Sequence, residues 1–520
     1  MLYNLRLTVY RCLLTDAAPA CFQTAFVPPI RRITPMFRYT AALFCALAAL
    51  PASADETGVL LNRHLDDRRV QEENFRAEPL PAVPQMPSEN TADESGTVEL
   101  DESALAEHPD LLHRAVSAAL LTGNTENAAE LLPFYRKLPP EQRNEDVLQW
   151  AEAAAARYRG DYRASVRAYR KVLAAQPDSF DVRLQLAATL FDNGEWEAAQ
   201  QQFEKLKSSE ELPEQVSTLI EQYLAAIREQ DRWQFYGGAS YLNDPNINNA
   251  PKNRDLGGNW QAPEAESAQG ISLNAGISKR HSLPHGFFTE ARADGSSRYY
   301  WDNRKYSEAS LRLSAGGGFQ DARHTLTLLP FAEQAWYAGG REHDKSLKRF
   351  SLAKGLAADW RYRFSPQWQS SLAAEYAENR YRTRTHLNGH SASASATLYY
   401  TPKPQQYWFA GIDAAKVNTQ QDDDAYTRKG VRAGWGQEWP LGFSSRLSAG
   451  YGERRYQGVN FFNIVQRNKE YSAQASLWHR AVHYRGLTPR LTWAWQKTDS
   501  NHALYRYQKQ RLFVEVSKQF

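Results

Sequence analysis

Cysteine is nearly absent from this sequence. The 520 residues include three cysteines, Cys12, Cys21 and Cys45, all within the first 45 positions. The rest of the chain therefore has no thiol that can form a disulfide or act as a nucleophile. Long apolar runs are lacking too, since no stretch of eighteen or more apolar residues follows residue 54. That absence excludes a bundle of membrane-spanning helices.

Net charge is also small, at +3 over 520 residues, and gives no indication of nucleic-acid binding. Aromatic residues, by contrast, are abundant. They make up 12% of the chain and include 14 Trp and 27 Tyr, although the mean hydropathy is −0.64. An outer-membrane β-barrel reconciles these observations, because only every second residue of a strand faces lipid and aromatic girdles mark both membrane interfaces.

The segment 36–54 predicts export. Arg38 precedes an apolar run over 41–50, and the small residues Ala52, Ser53 and Ala54 follow, so we expect a signal peptide that is cleaved before residue 55. Residues 1–35 add nothing that such a signal needs. We interpret them as a mis-called start ahead of Met36, or else as a long n-region.

Residues 55–110 are acidic and punctuated by proline, as in the run Glu78-Pro79-Leu80-Pro81-Ala82-Val83-Pro84. Such a segment cannot bury enough apolar surface to fold alone. We predict a disordered tether; the alternative is a partner-binding segment.

From 111 to 232 the apolar period becomes helical and a repeat appears. Gly160-Asp161-Tyr162 recurs as Gly194-Glu195-Trp196, 34 residues on, and a degenerate earlier copy starts at Gly123. This pattern resembles the tetratricopeptide repeat, in which paired helices stack and expose a concave surface for a peptide or protein. In the register of that repeat, the predicted groove positions are Trp150, Arg157, Tyr158, Asp181, Leu184 and Asp192. The apolar stripe that follows Pro213 suits a helix that covers the open end of the stack.

From Trp233 onward, apolar and polar residues alternate, as expected of strands with one lipid face and one wet face. Breaks in this alternation predict about fourteen antiparallel strands over 233–520. The connections 321–323, 365–367 and 440–442 are tight, whereas 244–269, 339–349, 382–390 and 419–426 are longer and polar. Short turns are typical of the periplasmic side and long loops of the outside. The last strand ends on Phe520, as expected where a closed barrel pairs its last strand with its first.

Motifs for chemistry are few. His479 and His483 have helical metal-ligand spacing but lie at a strand end, where that spacing does not converge on a metal. Asp422-Asp423-Asp424 could bind a divalent cation, but such a run in a predicted outer loop is more often a solvated charge run. Gly316-Gly317-Gly318 lacks the Gly-Lys-Ser/Thr of a phosphate loop. We therefore predict no catalytic, cofactor or metal site, and no enzyme.

Three segments carry a resemblance to a known family. They are NINNAPK at 246–252, WGQEW at 435–439 and, most specifically, SLWHRAVHYRGLTPRL at 476–491. With repeats followed by a barrel, the chain resembles the surface lipoprotein assembly modulators (Slam proteins) of Neisseria and related bacteria from about residue 100 to its end.

The resemblance implies transport. Proteins of this family help move acylated lipoproteins, such as transferrin- or haemoglobin-related receptor components and factor H binders, across the outer membrane. We accordingly expect a protein of the outer membrane with its repeats in the periplasm. The expected partners are surface lipoproteins as clients, outer-membrane lipid, the barrel assembly machinery and periplasmic chaperones.

A fourteen-strand lumen is narrower than that of open sixteen- to eighteen-strand porins, so we expect an unfolded client. Its lipid would leave through the seam between strands 1 and 14, where Gly237 and Gly238, near Phe520, should weaken pairing. Two alternatives stay open. An exopolysaccharide exporter predicts a lumen rich in ionisable residues, and a barrel lipid hydrolase predicts a catalytic cluster near the outer rim.

Overall fold

A computed structural model describes residues 108–208, 212–256, 260–482 and 487–519. The predicted start at Met36, the signal peptide 36–54, the tether up to residue 107 and Phe520 lie outside these residues. None of the described helices is long and apolar enough to cross a membrane.

The helical part is a stack of three helical hairpins followed by a single helix. Its helices are α1 Pro109–Leu121, α2 Thr125–Lys137, α3 Glu145–Tyr158, α4 Tyr162–Ala175, α5 Phe180–Asp192, α6 Trp196–Lys207 and α7 Glu214–Gln230. The predicted repeats are confirmed, including the degenerate first copy.

The repeated glycine has a local physical reason. Gly123, Gly160 and Gly194 have φ of 68°, 74° and 79°, a left-handed conformation that glycine adopts without steric cost and that ends a helix. The residue after the first two of them then caps the next helix: the side chains of Asn124 and Asp161 accept hydrogen bonds from the backbone N–H of Asn127 and Ala164. Each copy of the motif is therefore a helix stop followed directly by a helix start.

The core of the stack is aromatic and aliphatic. Tyr169, Phe203 and Tyr223 are buried in one cluster, in which the rings of Phe203 and Tyr223 stack with centroids 4.7 Å apart. The predicted stripe on α7 is buried against α5 and α6, with Leu219, Ile220, Leu224 and Ile227 in the same cluster.

Fourteen antiparallel strands form a closed barrel in which each strand pairs with its sequence neighbours and β1 pairs with β14. This confirms the predicted strand number and closure. The strands are β1 Trp233–Asp244, β2 Ala268–Ser282, β3 Phe287–Tyr300, β4 Glu308–Gln320, β5 His324–Tyr337, β6 Lys348–Arg363, β7 Trp368–Tyr381, β8 Gly389–Lys403, β9 Gln406–Thr419, β10 Tyr426–Glu438, β11 Phe443–Val459, β12 Val465–His479, β13 Arg490–Ser500 and β14 Tyr507–Gln519.

The outer surface of the barrel is that of an outer-membrane protein. Exposed aliphatic residues such as Leu313, Ile412 and Val431 form its middle band. Exposed aromatic residues lie at both ends, with Trp368, Trp408 and Phe443 at the short-turn end and Tyr241, Tyr299 and Trp301 at the long-loop end. These are the two girdles of a transmembrane barrel. The chain enters β1 directly after α7, so the helices lie at the short-turn end, the periplasmic one.

Candidate functional site: groove, lumen and barrel seam

The inner side of the helical stack is organised around one buried amide, that of Gln185 on α5. Its Oε1 accepts hydrogen bonds from Trp150 Nε1 at 2.8 Å and from the Tyr169 hydroxyl at 3.0 Å. Its Nε2 donates to the backbone carbonyl of Leu120 on α1. Gln185 thus joins four helices. The indole N–H of Trp150, a predicted groove residue, is already used in this internal hydrogen bond.

Arg157 and Asp192, two further predicted groove residues, form an ion pair. Arg157 Nη2 lies 2.8 Å from Asp192 Oδ2, and the two side chains are 18% and 10% exposed. Burial raises the pKa of Asp192, and the Arg157 guanidinium offsets part of that rise. The pair holds the ends of α3 and α5 together, so its charges mainly stabilise the helical domain.

The remaining three predicted groove residues differ in accessibility. Tyr158 is 51% exposed and its hydroxyl donates to Glu126 at 2.7 Å. Asp181 is half-buried, and burial raises the pKa of its carboxyl. Leu184, by contrast, is buried in the hydrophobic core and only 7% exposed, because α5 packs against neighbours on nearly every side. This burial does not fit its predicted place in the groove.

Replacement of Arg157 by methionine is expected to destabilise the helical domain by about 3–5 kcal/mol near neutral pH, because a buried carboxylate loses its cation. The raised pKa of Asp192 rises further in this variant. The folded variant then favours the protonated form of Asp192. The loss of unfolding free energy is therefore full at pH values above the pKa of Asp192 in the folded variant, and it shrinks as the pH falls through that pKa. Urea unfolding of residues 108–231, followed by circular dichroism between about pH 4 and pH 7, measures both effects.

The matched control is the double variant Arg157→Met with Asp192→Asn, which removes the stranded charge and should recover most of the lost stability. A deficit that is the same at every pH, or that persists in the double variant, would show that packing around Arg157 and not its charge is responsible.

Contacts between the helices and the barrel lie on β2, in the turn 284–286 that follows it, on β4 and in the turn after β4. Arg163 Nη2 is 2.7 Å from Asp321 Oδ2, and the Gln320 side-chain amide donates to the carbonyl of Gly194 at 3.1 Å. Asp231 accepts hydrogen bonds from the backbone N–H and the hydroxyl of Ser282 at 3.0 and 2.9 Å. The third copy of the repeat motif is therefore a docking element.

Trp196, in the third copy of the repeat motif, also contacts the barrel. Trp196 replaces the tyrosine of the preceding copy, and its ring faces the guanidinium of Arg280 at 5.4 Å. Arg280 also lies over Phe288, 3.4 Å from the ring centroid. Nothing in the pattern of either segment indicates that the two meet.

The lumen is lined by paired charges. Arg428 lies between Asp413 and Glu470, at 2.7 Å from the latter, and Arg312 lies between Glu333 and Glu375 at 3.4 and 2.8 Å. Opposite these pairs, small residues of β6 to β9 leave a cavity of about 120 Å³. The lumen is thus rich in ionisable residues, and arginines exceed carboxylates at the first of these sites, where Arg428, Arg432 and Arg454 share Asp413 and Glu470.

No cluster of His, Cys, Asp and Glu among the described residues is arranged to hold a metal ion. The run 422–424 lies in the turn between β9 and β10, where Asp424 Oδ2 is 3.8 Å from His386 Nε2.

The seam between β1 and β14 is short. Five residue pairs join these strands, from Tyr236 opposite Gln519 to Ser240 opposite Glu515, whereas twelve pairs join β1 to β2. Gly237 and Gly238 were expected to weaken the seam, but both lie inside this ladder. A Cβ atom at Gly238 would meet Asn274 Oδ1 at 2.6 Å and the Val516 carbonyl at 3.2 Å, so this glycine allows close approach of the strands. Beyond Ser240, toward the outer rim, Asp244 at the end of β1 forms an ion pair with Lys509 of β14 at 2.9 Å.

Comparison with known proteins covers both parts of the chain. A family model described as surface lipoprotein assembly modifier matches residues 233–520, and a model for the N-terminal tetratricopeptide repeats of the same family matches residues 98–203.

Three relatives illustrate the extent of the similarity. Surface lipoprotein assembly modifier 1 of Haemophilus influenzae strain Rd is 44% identical over 455 residues, which cover 87% of this chain and 94% of the relative. The surface lipoprotein assembly modifier of Pasteurella multocida is 42% identical over 451 residues, covering 84% and 88%. Surface lipoprotein assembly modifier 1 of Neisseria meningitidis serogroup B is 34% identical over 434 residues, covering 82% and 86%.

Proposed function

The chain belongs to the surface lipoprotein assembly modifier family, and from that premise we propose that it captures lipoproteins in the periplasm and promotes their delivery to the cell surface. The observation that carries the proposal is the match of both family models, in the order repeats and then barrel. The closed fourteen-strand barrel with two aromatic girdles places this activity in the outer membrane.

Capture is assigned to the helical stack. Tyr158 is exposed and Asp181 is half-buried. Trp150 bonds to Gln185, and Arg157 pairs with Asp192, so these three residues shape the surface through contacts inside the stack. Since the stack is docked on the periplasmic rim, a bound client is held at high local concentration beside the barrel. Periplasmic chaperones would deliver that client unfolded, and the barrel assembly machinery would insert this protein itself.

The lumen favours an extended client. A fourteen-strand barrel is narrower than the sixteen- to eighteen-strand porins that hold open channels, and charged side chains extend into its lumen. The acyl chains of the client are apolar and remain in the bilayer, while the attached polypeptide moves along the lumen. If the acyl chains stay in the bilayer while the polypeptide stays in the lumen, β1 and β14 must separate along the whole seam. The pairs at Gly237 and Gly238 must then open as well.

The two alternatives gain little support. The lumen is rich in ionisable residues, as expected of an exopolysaccharide exporter, but both family models that match the chain are those of lipoprotein assembly modifiers. The family is one of lipoprotein assembly modifiers and not an enzyme family, and we propose no hydrolase activity.

Deletion of this gene is expected to remove one or a few lipoproteins from the cell surface and leave their cellular amounts unchanged. Surface biotinylation of intact cells followed by quantitative mass spectrometry, with and without the gene, identifies these clients. Restoration by a plasmid copy is the control. Equal surface lipoprotein profiles in both strains, under conditions in which the protein is produced, would refute the proposed function.

A further inference from the structure

The outward face of β9 to β13 is basic at its long-loop end. Alternate residues of these strands face lipid, in phase with the exposed side chains of Ile412 and Val431. Every Lys and Arg on that face lies near the long-loop end of its strand. We call this set the outer basic patch, and its residues are Lys416, Lys429, Arg455, Arg467, Lys469 and Lys497.

Strand pairing brings the side chains of the outer basic patch together. Lys469 on β12 lies opposite Glu453 on β11, which lies opposite Lys429 on β10. Two residues further out, Arg467 lies opposite Arg455. Like charges that face each other across a strand pair are destabilising. An anion bound from outside the barrel would relieve this repulsion.

Acidic side chains compensate only part of this charge. Within the described residues, the outward face of β9 to β13 has two carboxylates, Glu453 and Asp499, against six cations. Arg455 pairs with Glu453 at 3.0 Å, and Lys497 pairs with Asp499 at 2.8 Å. The aspartates 422–424 lie beyond the strand ends, in the turn between β9 and β10. The outer basic patch therefore keeps a positive charge.

The depth of the outer basic patch is that of the lipid head groups. Tyr451 on β11 and Tyr471 on β12 lie opposite each other directly inward of the patch, with ring centroids 5.3 Å apart. Aromatic side chains of this kind mark the membrane interface, and two residues of a strand span about 7 Å. At the short-turn end, the same face has aromatic side chains such as Trp408 and Phe443. The basic surface is thus specific to the outer leaflet.

We propose that the outer basic patch binds the phosphorylated head group of a glycolipid in the outer leaflet. Phosphate oxygens form strong hydrogen bonds with Arg and Lys, and a basic surface beside a membrane gains affinity with each cation. A lipid also packs its acyl chains against the apolar residues further inward on the same face, which include Ile412, Val431 and Leu447. Since β13 is the neighbour of β14, the bound glycolipid lies one strand from the β1–β14 seam.

A binding titration with the purified full-length protein in detergent tests this site. The probe is fluorescently labelled lipid A, a phosphorylated glycolipid, and fluorescence anisotropy gives its Kd. Lys429→Gln, Arg467→Gln and Lys469→Gln together remove three charges from exposed side chains, so binding should weaken about tenfold or more. Lys429→Arg with Lys469→Arg keeps the charges and should bind like the original protein. Heat-modifiable migration confirms that each variant is a folded barrel.

The matched control removes the same number of charges elsewhere. Lys171→Gln, Lys205→Gln and Lys252→Gln change exposed side chains of two helices and an outer loop, and the affinity for lipid A should be unchanged. Equal affinity of the patch variant and the original protein, or equal binding of lipid A stripped of its phosphates, would overturn the proposal. Displacement of lipid A by an equal concentration of inorganic phosphate would assign the patch to free anions and would also overturn the lipid site.

Discussion

A disulfide between β1 and β14 is expected to stop lipoprotein display. Ala239 and Val516 are direct partners in the seam ladder, and opposed residues of antiparallel strands are close enough for a disulfide after Ala239→Cys and Val516→Cys. No native cysteine follows Cys45 to compete. If acyl chains cross the bilayer while their polypeptide passes along the lumen, locking this pair closes their route. Display measured by surface biotinylation should fall to the level of the gene deletion, and a reductant should restore it.

The control shares one of the cysteines. Ala239 also pairs with Leu273 on β2, so Ala239→Cys with Leu273→Cys forms a cross-link on the other edge of the same strand. That edge is joined by twelve pairs and is not expected to open, so display should be normal with or without reductant. Normal display by the oxidised Ala239–Val516 variant would mean that the lipid takes a route other than the seam.

The barrel was predictable from the sequence because each strand has its own pattern of apolar and polar residues, which depends only on residues close together in the chain. Alternation of apolar and polar residues, as at Ile271 to Ser278 on β2, follows directly from a strand with lipid on one face and water on the other. Turns such as 440–442 interrupt that alternation visibly. The helical repeats were equally readable, since a left-handed glycine recurs between the two helices of each hairpin and, in the first two copies, is followed by a capping residue.

The functional surfaces depend on contacts between distant residues, which no local pattern encodes. Gln185 is one of several polar residues of α5, and only the packed stack reveals that it bonds to Trp150, Tyr169 and Leu120. Leu184, beside it, was assigned to the groove from repeat register but is buried by the tight packing of α5.

The seam illustrates the same limit. Glycine content predicted weakness at Gly237 and Gly238, but both lie within the five-pair ladder that joins β1 to β14, and the register of that ladder is set by the pairing of the whole barrel. Asp244 and Lys509 are 265 positions apart, so nothing in the sequence links them.

Removal of residues 111–231, with 1–110 joined to 232–520, is expected to leave a folded barrel that displays little client. The barrel should persist because its own contacts survive the deletion. Arg280, for example, loses the ring of Trp196 but keeps that of Phe288. Capture should not persist, because a linked binding domain raises the effective concentration of a client and its loss should reduce display by roughly tenfold or more. Heat-modifiability and surface biotinylation measure the two results.

A second variant separates capture from docking. Arg163→Ala with Asp231→Ala keeps the groove but removes the contacts to Asp321 and Ser282, so the helical stack stays attached only through α7 and its remaining contacts. If the repeats act by holding the client at the rim, this variant should display more client than the deletion and less than the intact protein, since the groove still binds but is no longer held in place beside the mouth. Full display after removal of 111–231 would instead show that the barrel recruits its clients alone, and the helical stack would need another role.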